Sequence, residues 1–395
     1  MKRKIITDIF LNIIATFIPM FTLQFLILPY VASKIGADSY GQLLTVITLV
    51  NLSASTFGGV LNNSRLINFR KYDELKIQGD FNIILIIFVA VNVFAVSLGL
   101  IYYGRSLEIM EIVVLVVSSL LMLLNIYGSV EFRIKLNFKY ILLNSVMMLA
   151  GYLVGFVVFL LTKNWLFIYF LGFAFNNFFI VKKTNIFKEP LKKTLLFKTI
   201  FSKTLLLLAS GILVSLGAYV DKLLIFPLLG GSAVTIYYTA TILGKTIALA
   251  IEPITGVLLS YFAHMKKFSS SNFGVLMVIS AIVGTISYFG IIFLSKPVLN
   301  FLYPQYAEES LKYIYITTLS IIITITCNIV NSVLLKFCNV KWQIYINGIY
   351  MLVYISLSII FLMMYGLIGF CIGMLIAISI KLVLMIIAYY NNSES

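Results

Sequence analysis

The sequence predicts an all-α integral membrane protein with twelve transmembrane helices in two six-helix lobes. Three observations indicate this: an apolar composition, twelve apolar stretches of membrane-spanning length, and one lysine-rich segment between the sixth and seventh stretches. Of the 395 residues, 61% are hydrophobic and 11% are charged, and the mean hydropathy is +1.06. A soluble domain is about half apolar and about a quarter charged, so the composition excludes an ordinary soluble protein.

Each of the twelve stretches has roughly the 20 apolar residues that a helix needs to cross a bilayer core. They cover residues 9–32, 40–63, 81–103, 109–128, 140–162, 164–181, 204–229, 233–263, 273–295, 312–335, 342–364 and 366–390. The first stretch follows Met-Lys-Arg-Lys, as the core of a signal peptide would. It is longer than the ~7–15 apolar residues of such a peptide, so we expect a retained first span.

The lysine-rich segment, residues 182–203, holds seven lysines and a single acid, Glu189. No other part of the sequence is as polar over such a length. We therefore predict an N-terminal six-helix lobe at 1–181, a basic cytoplasmic hinge loop at 182–203 and a C-terminal six-helix lobe at 204–395. The remaining connections are too short to contain a soluble catalytic domain.

The net charge of +15 raises the question of nucleic-acid binding, which the placement of the positive residues answers. With a cytoplasmic N-terminus, most lysines and arginines fall on the cytoplasmic side of the predicted spans. That bias is typical of a membrane protein with both termini in the cytoplasm. We expect these residues to contact anionic membrane lipids, and we expect no nucleic-acid partner.

Proline and tyrosine recur at the same place in both halves. Pro29 precedes Tyr40 and Pro227 precedes Tyr238 by the same number of residues, with glycine between them in each case. Six predicted spans separate the copies, so the two halves would have the same orientation. Parallel repeats of this kind occur in some alternating-access carriers.

Two further prolines interrupt predicted spans. Pro19 lies in the middle of the first span and Pro253 lies in the eighth. Each removes a backbone hydrogen bond and favours a kink. We predict that both act as hinges between the lobes.

Charged residues inside predicted spans are the strongest candidates for function. They are Asp221, Lys222, Lys245, Glu252 and Lys381, and each costs ~2.5–3.5 kcal/mol on insertion scales unless it faces a partner or water. One interpretation is that they pair, Asp221 with Lys245 or Glu252 with Lys222, and hold helices together. The other is a cavity for an anionic ligand, because three lysines exceed two carboxylates.

In the second interpretation Lys222, Lys245 and Lys381 bind the substrate. Asp221 and Glu252 then tune those lysines or carry a coupling cation, since a buried carboxylate near lysine can change its charge on protonation. Lys245 and Glu252 are about two helical turns apart, which places them on one face of a helix.

Arg65 is a further candidate, because it ends the second span in Asn62-Asn63-Ser64-Arg65. A guanidinium can donate two parallel hydrogen bonds to a phosphate or diphosphate. The alternative is that Arg65 anchors the helix at the level of the lipid headgroups.

The sequence offers no pattern for a cofactor, a metal site or nucleotide hydrolysis. Cys327, Cys338 and Cys371 lack the spacing of a zinc site, and the only histidine, His264, lies beside a predicted cytoplasmic end. No phosphate-binding Gly-x-x-x-x-Gly-Lys loop is present. We therefore expect a protein without cofactor or metal that is not an enzyme.

Several motifs around the first, second, seventh and eighth spans form one set. They are Leu28-Pro29-Tyr30, Gly36 with Tyr40-Gly41, Phe57-Gly58-Gly59 with Asn63-Ser64-Arg65, and Asp221-Lys222 with Tyr237-Tyr238. Together with the span count, the set resembles the Wzx-type O-antigen and polysaccharide flippases. These belong to the multidrug/oligosaccharidyl-lipid/polysaccharide superfamily, which has the MATE-like fold.

The resemblance implies a carrier for undecaprenyl-diphosphate-linked oligosaccharide, an O-antigen or capsule repeat unit. Such a carrier moves its substrate across the bacterial inner membrane by alternating access, through a cationic cavity between two lobes. The resemblance also implies coupling to a proton or sodium ion and contact with a glycan polymerase.

Two other classes of function remain as alternatives, a multidrug exporter and a membrane enzyme that is either a polymerase or an acyltransferase. A cation-coupled multidrug exporter of the same fold needs an acidic cavity, against which the excess of lysine argues. A membrane-embedded polysaccharide polymerase needs a large external loop, and the longest one predicted is Lys296–Glu309. An acyltransferase needs a histidine at its site, whereas His264 lies at the cytoplasmic edge.

Overall fold

A computed structural model describes residues 2–265, 268–338 and 341–393 of the chain. Side chains are described for residues 10–249, 251, 262, 265, 268–338 and 341–391. Within these ranges the chain consists of helices and short connections, and it contains no β-strand. The residues form two compact units, Met1–Pro227 and Leu228–Ser395.

The helices of the first unit follow one another through short turns. They are α1 (Lys2–Phe21), a π-helix (Thr22–Ile27), α2 (Leu28–Ile35), α3 (Ala37–Glu74), α4 (Asp80–Tyr103), α5 (Ile109–Gly128), α6 (Val130–Ile134), α7 (Phe138–Thr162), α8 (Leu166–Lys183), a 3-10 helix (Ile186–Lys188) and the first part of α9 (Phe197–His264). α3 packs against α4 and α5, and α7 packs against α1 and α8. Of the candidate spans in the described residues, α3 is the most buried, at 78% of its apolar window.

The second unit contains the rest of α9 and three further helices, α10 (Ser270–Leu302), α11 (Ala307–Phe337) and α12 (Lys341–Ser393). α11 packs against both α10 and α12. α10 presents large apolar side chains to the outside along its length, Ile286, Phe289 and Phe293 among them. Such a surface is suited to lipid.

Ten helices of the described residues are long and apolar enough to cross a membrane. The chain is therefore a multi-pass membrane protein. Two of these candidates, in α9 and α12, are 53 and 51 residues long. At about 1.5 Å per residue each would extend roughly 75–80 Å, more than twice the ~30 Å of a hydrocarbon core.

Both long helices contain one residue with non-helical backbone angles. Gly230 in α9 has φ 82° and ψ 179°, and Gly366 in α12 has φ 64° and ψ −145°. A positive φ is accessible to glycine without the clash that a Cβ causes. Gly36, between α2 and α3, has nearly the angles of Gly230, at φ 81° and ψ 166°. The turn at the end of the predicted first span thus has a counterpart in α9.

The structure describes the side chain of only one of the two predicted hinge prolines. Pro19 lies inside α1, and the α-helix changes to a π-helix at Thr22, three residues further on. A change of helix type beside a proline accords with the loss of one backbone hydrogen bond. Pro253 lies within α9, but its side chain and that of Glu252 are outside the described residues.

Polar side chains within the first unit pair between helices. Ser53 of α3 donates to Asn92 Oδ1 of α4 at 2.6 Å, and Asn92 Nδ2 donates to Ser119 Oγ of α5 at 2.5 Å. All three are buried. In a lipid-surrounded bundle such bonds satisfy groups that would otherwise be costly to bury.

The segment between α8 and α9, residues 184–196, is packed onto the first unit; we call it the strap. Ile186 is buried in a cluster with Tyr127 of α5 and Phe81 of α4. The lysine-rich segment is therefore held by specific contacts over much of its length. The lobe boundaries predicted at 182–203 stay a prediction. In the sequence, the boundary between the two compact units falls after Pro227.

Candidate functional site

A cavity of 640 Å³ lies in the first unit, between the C-terminal end of α3, the start of α4, α6 and the strap. Arg65 lines it from α3, and Glu189 lines it from the strap. Its other charged residues are Asp73, Lys76, Glu131, Lys135 and Lys188.

Arg65 and Glu189 form the most buried ion pair of the cavity. The two side chains are 15% and 13% exposed. Nη1 of Arg65 donates to Glu189 Oε2 at 3.1 Å, and Nη2 donates to Glu189 Oε1. This two-bond arrangement is the one a guanidinium uses for planar or tetrahedral oxyanions.

Aromatic residues hold the Arg65 guanidinium independently of Glu189. Nη1 also donates to Tyr127 Oη at 2.8 Å, and the guanidinium carbon lies 5.2 Å from the centre of the Phe81 ring. Attraction between a cation and a ring face contributes roughly 0.5–2 kcal/mol. Arg65 is therefore positioned by α4 and α5 as well as by the strap.

Asp80, at the start of α4, anchors the far end of the strap. It is fully buried and accepts three hydrogen bonds, from Thr194 N at 2.7 Å, Thr194 Oγ1 at 2.5 Å and Tyr72 Oη at 2.7 Å. A buried carboxylate with several donors is satisfied without a cation.

Glu131 and Asn82 anchor the near end of the strap and its middle. Oε2 of Glu131 accepts from the backbone N–H groups of Asn185 at 2.8 Å and Ile186 at 3.1 Å. Asn82 Nδ2 donates to the backbone oxygen of Glu189 at 2.9 Å. The strap thus forms one wall of the cavity.

Thr194→Ala tests this anchoring. It removes the hydroxyl bond to Asp80 but leaves the backbone bond, which should cost about 1.5 kcal/mol for a bond to a charged group. If local opening limits proteolysis, trypsin should cut after Lys192 and Lys193 roughly tenfold faster. Thr199→Ala, at an exposed threonine close by, should leave the cleavage rate unchanged. Equal rates for both variants would show that the Asp80 bond does not hold the strap.

The remaining charges of the cavity are less buried. Lys135 pairs with Glu131 at 2.5 Å, but its side chain is 60% exposed. Lys76, Lys188 and Asp73 are exposed, and none of the three makes an ion pair within the described ranges. Four positive and three negative side chains therefore line the cavity, which leaves an excess of one positive charge.

Asp221 and Lys222 lie side by side on α9 in the first unit. Both are buried, and Lys222 Nζ is 3.9 Å from Asp221 Oδ1. Asp221 Oδ1 also accepts from the backbone N–H of Lys222 at 2.8 Å. The predicted pairings Asp221–Lys245 and Lys222–Glu252 stay predictions.

Lys245 and Lys381, in the second unit, each lie over a tyrosine ring. Lys245 Nζ is 5.6 Å from the centre of the Tyr237 ring, and Lys381 Nζ is 4.6 Å from that of Tyr350. Both lysines are half-buried. A ring face attracts an ammonium group without neutralising its charge. The predicted substrate-binding residues are therefore divided between the units, with Arg65 and Lys222 in the first.

Within the searched residues, no group of three histidine, cysteine or acidic side chains is placed to hold a metal ion. Cys327 and Cys371 are buried free thiols in the second unit. His264 ends α9, and its side chain is outside the described residues.

Sequence reasoning missed the partner of Arg65 and the cavity around it. The signal was Glu189, the only acid among seven lysines in residues 182–203. An acid placed in so basic a segment suggests a specific partner elsewhere in the chain. Asp80 was missed as well, since it looks like an ordinary first-turn acid of α4.

Comparison with known proteins shows that this fold is shared with transporters of known structure. The lipid II flippase MurJ, in an inward closed conformation, aligns with a TM-score of 0.74 at 16% identity over 99% of this chain and 88% of that chain. An inward-facing multidrug resistance MATE family transporter of the MOP superfamily aligns with a TM-score of 0.70 at 12% identity, covering 97% and 99%. An outward-facing transporter of the same description aligns with a TM-score of 0.64 at 14% identity, covering 98% and 96%.

The chain therefore has the helical fold of MurJ and the MATE transporters. At these identities the likeness establishes the fold alone. No protein-family model matches the sequence, and no curated protein matches it.

Proposed function

We propose that this protein is a flippase that translocates an undecaprenyl-diphosphate-linked oligosaccharide, an O-antigen or capsule repeat unit, across the bacterial inner membrane by alternating access. The observation that carries the proposal is positive charge buried in membrane-spanning helices of a fold shared with a lipid II flippase. Lys222 is the most buried of these cations, at 8% exposure, and lies beside the Asp221 carboxylate, whereas Lys381 makes no ion pair in the described residues. A phosphorylated lipid is the kind of substrate that such charges attract.

The proposed architecture has twelve spans in two six-helix lobes. Gly230 divides α9 and Gly366 divides α12, so each of these long helices would supply two spans joined by a one-residue turn. The lobes would comprise residues 1–181 and 204–395, with both termini in the cytoplasm. The kinks at Pro19 and Pro253 would let the lobes change their relative orientation.

Lys222, Lys245 and Lys381 would contact the diphosphate or acidic sugars of the substrate, and Arg65 would contact them at the end of the second predicted span. Lys381 supports this role because its ammonium lies over the Tyr350 ring and makes no ion pair in the described part of the chain. A phosphate would supply the charge that its surroundings lack.

Asp221 and Glu252 would tune the lysines or carry a coupling proton or sodium ion. Asp221 is suited to the first role because its carboxylate lies beside the Lys222 ammonium in a buried position. No cofactor is required, because the proposed step moves a molecule without changing a covalent bond. Contact with a glycan polymerase would deliver the product to the next step.

The alternative with structural support is a multidrug exporter, because MATE transporters share the fold. The two functions differ in the charge they need within the spans. A drug cation requires acidic residues, whereas the charged side chains described in the spans of the second unit include two half-buried lysines over aromatic rings.

A reconstitution assay separates these functions. The full chain in liposomes should move a fluorescent polyprenyl-diphosphate oligosaccharide between leaflets, measured by the label becoming accessible to a membrane-impermeant quencher. Protein-free liposomes give the background rate. A rate at background, together with proton-driven efflux of a cationic dye, would replace the flippase proposal with the exporter.

A further inference from the structure

We infer that the cavity of the first unit is a phosphate-binding site in which the Glu189 carboxylate takes the position of the phosphate until a phosphorylated ligand displaces it. The ligand class is a phosphorylated or diphosphate-linked sugar. The inference that this cavity binds a phosphate group is independent of the proposed function. Only the identification of the ligand as a lipid-linked sugar rests on the proposed function.

The Arg65–Glu189 pair supplies the first step of the argument. Arg65 donates to both carboxylate oxygens of Glu189 through its two terminal nitrogens. A phosphate accepts the same pair of parallel bonds from a guanidinium. Since Tyr127 and Phe81 also hold Arg65, the guanidinium remains in place when Glu189 leaves it.

The charge balance of the cavity supplies the second step. Lys76 and Lys188 line the same cavity as Arg65 and make no ion pair in the described residues. Glu189 brings one negative charge, whereas a phosphate monoester carries about 1.5–2 at neutral pH. With Asp73 and Glu131 counted, the lining carries one net positive charge while Glu189 is in place and two when it leaves, so a phosphate on Arg65 would balance the charge more closely than Glu189 does.

The size and the other walls of the cavity supply the third step. A volume of 640 Å³ falls within the roughly 300–1,000 Å³ of small-molecule sites, so a sugar fits beside the phosphate. Asp73, Gln78 and Asn185 line the cavity and offer acceptors and donors for sugar hydroxyls. Phe81 and Tyr72 add aromatic surface.

Displacement of Glu189 would leave most of the strap attached. The bonds of Asp80 to Thr194 and of Glu131 to Asn185 do not involve Glu189. A ligand can therefore exchange with this one carboxylate without unfolding the segment.

Calorimetric titration of the purified full-length protein with inorganic pyrophosphate tests the inference. Lys76→Ala/Lys188→Ala should weaken binding roughly tenfold, because it removes two cavity cations. The matched control is Lys192→Ala/Lys193→Ala, which removes the same charge from exposed strap residues that do not line the cavity. Glu189→Gln should strengthen binding several-fold, because it removes the competing carboxylate.

Two results would overturn the inference. One is the absence of pyrophosphate binding by the unaltered protein. The other is equal weakening by the two double variants, which would show general attraction to a basic surface. Neither depends on Glu189→Gln being stable, because all the lysines concerned are exposed.

A competition experiment in lipid nanodiscs identifies the molecule that supplies the phosphate group. If phosphatidylglycerol competes with pyrophosphate and phosphatidylcholine does not, the source is a lipid headgroup. Lack of competition would identify a phosphate that is not part of a bulk lipid. The outcome is independent of the proposed function, since a protein that binds pyrophosphate here but moves no lipid-linked glycan would refute only the flippase.

Discussion

Cells in which Lys245 is replaced by alanine will lose their surface glycan, while the altered protein remains in the membrane at its normal level. The ammonium lies over the Tyr237 ring at 5.6 Å on α9. Alanine removes this positive charge but leaves the packing of Tyr237 against Phe370. Removing one partner of a buried charge pair costs about 2–5 kcal/mol, so binding of a diphosphate should weaken by roughly 30-fold or more.

The measurement is the amount of lipid-linked and surface glycan in cells that carry only the altered gene, with the membrane level of the protein determined by immunoblot. Lys245→Arg should keep partial activity because it retains the charge. Lys336→Ala, at an exposed lysine in the last turn of α11, should have no effect. Normal glycan with Lys245→Ala would remove Lys245 from the site and leave Lys222 and Lys381 to be tested in the same way.

The membrane-spanning helices could be located from the sequence because lipid leaves the backbone few options. A segment in hydrocarbon must satisfy its hydrogen bonds internally, so a long apolar stretch becomes a helix whatever its neighbours are. The predicted stretch 81–103 corresponds to α4 (Asp80–Tyr103), and 109–128 corresponds to α5. The predicted stretches 204–229 and 233–263 fall on either side of Gly230.

The parts outside the apolar stretches could not be located in this way. α3 continues to Glu74, and Ile186 of the strap packs into a cluster of the first unit; a hinge at residues 182–203 stays a prediction. The reason is that polar segments are ordered by partners distant in sequence. Arg65 and Glu189 are 124 residues apart, and Asp80 and Thr194 are 114 apart, separations that no local periodicity encodes.

The contacts of the candidate residues could not be predicted from the sequence. Binding of a phosphate or diphosphate by Arg65 stays a prediction, and the oxyanion that Arg65 contacts in the structure is the carboxylate of Glu189. The tyrosine rings beside Lys245 and Lys381 were not predicted. Many tyrosines are available in the sequence, and tertiary packing alone determines which of them faces a lysine.

Arg65→Ala will lower the thermal stability of the purified protein and loosen the strap around Glu189, while the bonds of Asp80 and Glu131 keep its two ends attached. It leaves the Glu189 carboxylate without its cation in a position that is only 13% exposed. Breaking a buried ion pair costs about 3–5 kcal/mol; because some solvent reaches this pair, we expect about 2–3 kcal/mol. The measurement is the midpoint of thermal unfolding in detergent, together with the rate of tryptic cleavage in the strap.

Lys135→Ala is the matched control, because it breaks another ion pair of the same cavity. The Lys135 side chain is 60% exposed, so its loss should cost about 0–1 kcal/mol. Equal effects of Lys135→Ala and Arg65→Ala would contradict the importance of burial for the Arg65 pair.

The double variant Arg65→Met/Glu189→Met separates a structural role of Arg65 from a substrate-binding role. Replacing both members of a buried pair by apolar residues is often neutral, so this variant should recover most of the stability lost in Arg65→Ala. If Arg65 also binds the diphosphate, the stable double variant will still make less surface glycan. Recovery of both stability and glycan would instead restrict Arg65 to holding the strap, and the cations of the spanning helices would then account for substrate binding without it.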